Sequence, residues 1–337
     1  MSRLLIKDAL LKWAPFLVLL VLLLVFPIFE MVNDWSDGKN HLYLIDSNFL
    51  SVRNFARITI SAAPALMVAL GVTFIIIMGS IDLSMEGTVS VTAVAFAYAF
   101  LALGGMLNSI AWLAIPLALV IGAAIGLLNG FVHVKLKIPS FMASLAMGFV
   151  GTGFALLLTG GERVRVDDPL FRSLLTERWL GFPIMIYVAG IFLILMWFLQ
   201  TRTKLGRNFY AVGGGEELAA SSGLNVAKVR ILGFMLAGIC YGMGGLLAVA
   251  KIGIAETVTG ANFMFISITA VVVGGTALWG GIGGVLNTLV GVLIVFVINN
   301  GMVVIGLPSY IQTAILGILV ILAVVLSTDR KSISFVK

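Results

Sequence analysis

Two carboxylates, Asp82 and Glu86, stand four residues apart in a segment that is otherwise apolar, small or neutral: Met78-Gly79-Ser80-Ile81-Asp82-Leu83-Ser84-Met85-Glu86-Gly87. An ionisable group at membrane depth is costly and by default functional. Asp82 has two chemistries open to it. It can accept hydrogen bonds from solute hydroxyls or the break's own backbone, or it can take the amide hydrogens left free at the start of a following helix. On a helix the two acids share a face, so a coupled carboxylate pair binding a proton or sodium is a third chemistry. Ion-coupled secondary transport through Asp82 and Glu86 is therefore the main rival to any reading in which the energy comes from another chain. Neutral polar groups at membrane depth add Asn129, Thr152, Asn262, Ser267, Thr269, Thr276, Asn287, Asn299, Asn300 and Gln312. These suit an uncharged polyol better than an ion, and those not so used join helix to helix. Phe141, Phe263, Phe265 and Trp279 offer rings to stack on a sugar, or pack as core. The expected substrate path is Asp82, Ser84, Asn129, Phe263, Phe265, Thr276, Asn299 and Asn300.

Other chemistries lack their residues. His41 and His133 have no histidine or cysteine at ligand spacing, so no metal site is expected. The single cysteine, Cys240, lies in an apolar run and excludes an internal disulfide framework. No G-x-x-x-x-G-K-[ST] phosphate loop occurs, since Gly213 to Gly215 is followed by Glu216. If ATP drives this protein, its ATP and Mg sit on a separate ATPase subunit, and this chain catalyses nothing.

The elements that must position these residues follow from composition. Hydrophobic residues make up 61% of the 337, charged ones only 11%, and the mean hydropathy is +1.14. Soluble domains carry roughly 25% charged residues, so lipid is the solvent here. About 20 apolar residues cross the hydrocarbon as helix, and continuous rather than alternating runs exclude a barrel. Ten spans are expected: 13–30, 58–79, 87–103, 112–133, 140–160, 183–200, 231–250, 266–279, 284–300 and 308–327. The first follows Arg3, Lys7 and Lys12 like a secretory signal, but no small-x-small cleavage site follows it, so it is kept as a span.

An even number of spans puts both ends on one side. With both inside, thirteen basic residues and four acids fall on inner segments, against eight basic and nine acidic on outer ones, Asp82 and Glu86 lying at the break. That asymmetry selects N-in, C-in. The net charge of +6 is spread along the chain rather than gathered in a stripe, so no nucleic-acid partner is expected.

Three loops have room for work. The outer stretches Met31 to Arg57, with Asn33, Asp34, Asp37, Gly38 and Asn40, and Gly161 to Pro183, with Glu162, Arg163, Arg165, Asp167 and Asp168, offer docking platforms. The inner stretch 201–230 is the place for an intracellular partner to push. A second glycine-rich break, Val273 to Gly284, matches the one at Gly79. Paired interrupted helices point to a translocation path, although glycines also serve close packing.

The motifs resemble a family. Gly79-Ser80-Ile81-Asp82-Leu83-Ser84 is similar to the G-x-[IT]-D-L-S signature of permeases from ribose- and galactose-type bacterial ABC importers. Thr203 to Gly214, with Gly206, Arg207, Tyr210, Ala211, Gly213 and Gly214, then Ala219, Ala220 and Ser222 to Val226, resemble that family's T-x-x-G-R-x-x-[YF]-A-x-G-G…A-A-x-x-S-G-[IV]-N-V. Ala270 to Leu278 and Asn299-Asn300-Gly301 match its A-V-V-x-G-G-T-S-L and N-N-G elements. The resemblance covers some 280 residues. It implies an all-α permease fold with broken helices, a single transmembrane domain over 1–337 with a cytoplasmic tail at 328–337, and a place in the bacterial inner membrane. It also implies cytoplasmic ATP-binding subunits, a periplasmic solute-binding protein delivering a monosaccharide, a second permease subunit and surrounding lipid. The family's coupling helix maps onto Glu216 to Val226, giving Gly213, Gly214, Glu216, Glu217, Ala219, Ala220, Gly223 and Asn225 as the residues coupled to the ATPase. Where many relatives have Y-E-L-D-A-I-A, this chain reads Phe263 to Thr269 without the acids, and it has Glu86 where a small residue is common. That pattern resembles members acting as half of a heterodimer, so homodimer and heterodimer both stay open.

Overall fold

In hydrocarbon no water bonds the backbone, so each apolar run closes its own hydrogen bonds as a helix. The computed structural model describes residues 2–36 and 47–327. Its elements are α1 (Ser2–Ser36), α2 (Val52–Ile77), α3 (Met85–Ala102), a 3-10 turn (Ile110–Leu113), α4 (Ala114–Lys135), α5 (Ser140–Thr159), α6 (Pro169–Thr176), α7 (Ile184–Arg202), α8 (Lys204–Gly214), α9 (Glu216–Ser221), α10 (Val226–Ile252), α11 (Phe263–Val273), α12 (Val285–Val304) and α13 (Ser309–Ser327). Among the described residues, eight helical segments are long and apolar enough to cross a membrane. Phe263–Val273 is apolar but shorter and occupies the place of the eighth expected span, and α13 that of the tenth. The expected docking residues Asp37, Gly38 and Asn40, and the tail 328–337, lie outside the described residues.

The two most enclosed spans, α2 and α10, form the centre of the bundle. Helix α10 lies against α4 through facing small residues: a Cβ on Gly238 would stand 2.0 Å from the Gly122 carbonyl oxygen, and one on Gly126 would stand 2.1 Å from that of Phe234. Close backbone approach of this kind replaces the hydrophobic effect as the adhesive between helices in lipid. On its other side α4 exposes Leu117, Val120, Leu128 and Phe131, a stripe for acyl chains. The short α6 is fastened to α3 by Phe171, whose ring centroid lies 5.1 Å from Phe96 and 5.9 Å from Phe100.

Strands are minimal. β1 (Val164–Arg165) pairs antiparallel with β4 (Ile254–Ala255), Val164 opposite Ala255, and β2 (Arg178–Trp179) with β3 (Phe182–Pro183). The first pair closes the loop after α5 onto the loop after α10, where Arg163 Nε donates to Glu256 Oε2 at 2.9 Å.

One boundary difference has a clear backbone cause: the eighth span is expected to reach residue 279. Helix α11 stops at Val273 because Gly275, Gly280, Gly281 and Gly283 all take positive φ, from 74° to 120°, which no right-handed helix contains. Similarly α2 ends at Ile77, and Gly79 at φ 70° turns the chain.

Candidate translocation site and its coupling segment

Leaving α2, the chain runs without helix from Met78 to Ser84, and neighbouring helices supply what its backbone lacks. Ser140 and Ser144, one turn apart on α5, accept the amides of Ile81 at 3.0 Å and Leu83 at 2.9 Å. Asp82, 3% exposed, is saturated by protein donors. Its Oδ1 accepts from the Ser84 amide at 2.8 Å, the Ser84 hydroxyl at 2.7 Å and Asn129 Nδ2 at 3.4 Å. Its Oδ2 accepts from the Tyr241 hydroxyl at 3.0 Å. Burying a carboxylate is tolerable only with such compensation. The group thus ties the broken segment to α4 and α10. Asp82, Ser84 and Asn129 come together, facing one another. Sequence reasoning missed Ser140, Ser144 and Tyr241; the i, i+4 serine pair was the available signal for the first two.

The second break folds on itself. Thr276, fully buried, accepts the Gly284 amide on its hydroxyl at 3.4 Å, and Asn287 Nδ2 donates to the Gly274 carbonyl at 3.1 Å. The two breaks touch: the Gly281 amide donates to the Ile77 carbonyl, the last residue of α2, at 2.9 Å. A third segment enters the same point. A Cβ on Gly213, near the end of α8, would lie 1.7 Å from the Ile77 oxygen and 2.7 Å from the Gly281 amide nitrogen.

Side chains repeat this junction. The Tyr210 hydroxyl donates to the Gly283 carbonyl at 2.6 Å and receives the Gln200 amide group. Gln200 Oε1, on α7, accepts the first amide of α12, Val285 N, at 2.8 Å. Burial pushes the Tyr210 phenol above its ordinary pKa, and the Gln200 hydrogen bond acts the other way. Tyr210 therefore stays a neutral donor. Helix α8 is fitted for this place by its period: Phe209 and Val212 are buried while Lys204, Arg207 and Ala211 are exposed.

The remaining candidates are dispersed. Glu86 Oε1 accepts the Met264 amide at 3.3 Å, capping α11, whose own N-cap residue Asn262 makes no side-chain cap bond. Phe263 is half-buried and Phe265 is 63% exposed. Asn300 exchanges hydrogen bonds with Asn54 of α2 at 2.8 and 3.0 Å, and Asn299 beside it is half-buried. The geometry thus contains four polar stations, at Asp82, at the start of α11, at the second break and at Asn54–Asn300.

The family described as "Branched-chain amino acid transport system / permease component" matches residues 54–324. The chain belongs to this permease family. It is 32% identical over 291 residues to the ribose import permease protein RbsC of Escherichia coli (strain K12), covering 85% of this chain and 89% of that one. The ribose import permease protein RbsC of Bacillus subtilis (strain 168) is 30% identical over 324 residues, 95% of this chain and 93% of its own. The probable ABC transporter permease protein YphD of Escherichia coli (strain K12) is 35% identical over 300 residues, 86% and 88% respectively. No solved structure matches significantly.

The permease's break motifs and its α8 to α10 segment all lie within the matched region. The carrier alternative gains no support: Asp82 and Glu86, though four apart, engage different partners, and these relatives bear permease names. In the permease's inner segment, Gly213 is packed into the junction while Gly214 is exposed. Glu216 Oε2 accepts from Arg230 Nη2 at 2.7 Å. Ala219 is buried; Glu217, Ala220 and Gly223 are exposed. Asn225 caps α10 by accepting the Lys228 amide at 2.9 Å. Leu218, 76% exposed, stands free on α9. A cleft of about 380 Å³ lies between α8 and α9, lined by Ala211, Leu218, Ala219, Ser222, Gly223 and Leu224.

Proposed function

We propose that this chain is the membrane-spanning subunit of an ATP-driven bacterial importer that carries a monosaccharide or similar small, neutral, hydroxylated solute across the inner membrane. ATP and Mg bind a separate cytoplasmic subunit, a periplasmic solute-binding protein docks on the outer loops, and a second permease subunit, identical or homologous, completes the path. The observation that carries this reading is the junction of α8 with both broken helices. A partner gripping α9 at Leu218 and the cleft beside it moves α8 as a rigid piece. Through Tyr210, Gly213 and Gln200 that motion reaches the end of α2 and the start of α12 together. Packed interfaces of this kind shift between discrete arrangements rather than deform continuously.

The sugar reading rests on two supports. The ribose importers among its relatives make a monosaccharide the first solute to test, and the polar stations along the chain are largely neutral. Asp82, Ser84 and Asn129 hold the first break in shape; Phe263, Phe265, Asn299 and Asn300 line or border the path, and Thr276 sets the second break.

The test is solute-stimulated ATP hydrolysis in liposomes holding this chain with its ATPase and binding protein, across pentoses, hexoses and polyols. Stimulation that requires the binding protein and disappears when Glu216 to Ser222 is replaced by a Gly/Ser linker supports the importer. Gradient-driven uptake by this chain alone, with hydrolysis indifferent to every solute, sinks it.

A further inference from the structure

At the end of the bundle that carries Lys135, Lys137, Lys204, Arg207, Lys228 and Arg230, a cavity of about 380 Å³ opens between the last turn of α4 and the first turn of α10. Its walls include His133, Lys137, Pro139, Glu216, Val226 and Arg230. The density of basic residues marks this as the cytoplasmic end.

Two nitrogens in this wall are unspent. His133 Nδ1 donates to the Ile138 carbonyl at 2.6 Å, while His133 Nε2 is buried with no hydrogen-bond partner among the described residues. Arg230 gives one Nη2 hydrogen to Glu216, yet its Nε is also buried and unpartnered. Buried polar atoms without partners are rare and ask for a ligand or a water. Lys137 is exposed at the rim, and the first residues of α10, Val226 and Ala227, bring the positive end of that helix to the same space. One carboxylate, Glu216, offsets part of this charge and is already engaged by Arg230.

The neighbouring surface identifies the occupant. The exposed residues Val120, Leu127 and Phe131 of α4 are continued one turn on by Val134, which lines the cavity, so an acyl chain along that row leads its headgroup to the cavity's mouth. Basic pockets between helices on the cytoplasmic side are suited to anionic lipid headgroups. We propose that this cavity binds the phosphate of an anionic phospholipid. Arg230 Nε and Lys137 donate to phosphate oxygens. His133 Nε2 accepts from a headgroup hydroxyl as neutral imidazole or donates to phosphate as imidazolium. The guanidinium of Arg230 then holds lipid on one edge and Glu216, the first residue of α9, on the other, so the lipid steadies the segment that receives the cytoplasmic partner.

Native mass spectrometry of the full chain, titrated with phosphatidylglycerol and with phosphatidylcholine, tests this. The wild type is expected to favour phosphatidylglycerol about tenfold, and His133→Gln/Lys137→Gln to bring the two lipids within about twofold. Glu216→Gln/Arg230→Gln, which removes the ion pair without stranding one charge, is expected to do the same and guards against a folding artefact in the first variant. Inorganic phosphate at millimolar concentration is expected to leave lipid binding unchanged. An unaltered lipid preference in both variants overturns the proposal, as does displacement of the lipid by inorganic phosphate.

Discussion

Asp82 stands out in the sequence as a charge in an apolar stretch, and in the structure it has no unshared oxygen. Its donors come from Ser84, Asn129 and Tyr241. Replacing Asp82 by Ala strands those donors in a buried site, at about 1–3 kcal/mol for each left unsatisfied, and should lower the melting temperature in detergent. Tyr241→Phe removes one bond to the carboxylate and should cost about 1.5–3 kcal/mol. If both variants melt with the wild type, the carboxylate is not the staple described here. That Asp82 mattered was legible because charge in hydrocarbon is rare. Its partner Tyr241 was not, nor was Ser144, which takes the neighbouring Leu83 amide, because both come from helices distant in sequence and neither residue type announces a role. Glu86 is similar: its spacing from Asp82 suggested a pair, yet three-dimensional packing sends it to the Met264 amide.

Among the elements, the junction of α2, α8 and the second break governs behaviour. A methyl group on Gly213 meets the Ile77 oxygen at 1.7 Å, so Gly213→Ala must displace α8 or the end of α2. Gly213→Ala is expected to reduce uptake at least about tenfold in a chain that still inserts, since displacements of this size misplace a working site. Uptake near the wild-type rate would show the junction to be slack. Both breaks were visible as glycine runs, and both lie where expected. The sequence overran α11, extending it through Gly274 and Gly275 to residue 279, since apolar composition alone does not reveal the positive φ that Gly275 takes and that Gly280, Gly281 and Gly283 take beyond it. The helices α8 and α9 appeared as one inner segment, and the bond from Tyr210 to Gly283 joins stretches that no local pattern connects.

For the whole molecule, the arrangement of charges sets the orientation, and the protein's own chemistry permits a direct check. Its one cysteine, Cys240, is fully buried and should resist maleimide. Against that background Glu162→Cys should react with an impermeant maleimide added to intact cells, and Leu218→Cys only after permeabilisation. The reverse pattern would invert the bundle and remove α9 from any cytoplasmic partner. With orientation established, the central claim is that α8 transmits a partner's motion to both breaks. It is tested most directly by the ratio of solute imported to ATP hydrolysed in proteoliposomes containing Tyr210→Phe. Phenylalanine keeps the packing and deletes the hydroxyl that bonds Gly283 and Gln200. The account predicts that hydrolysis stays within about twofold of wild type while the ratio falls about fivefold to tenfold, from the loss of the hydroxyl's part-buried bonds to Gly283 and Gln200 at the transmitting contact. An unchanged ratio would contradict it.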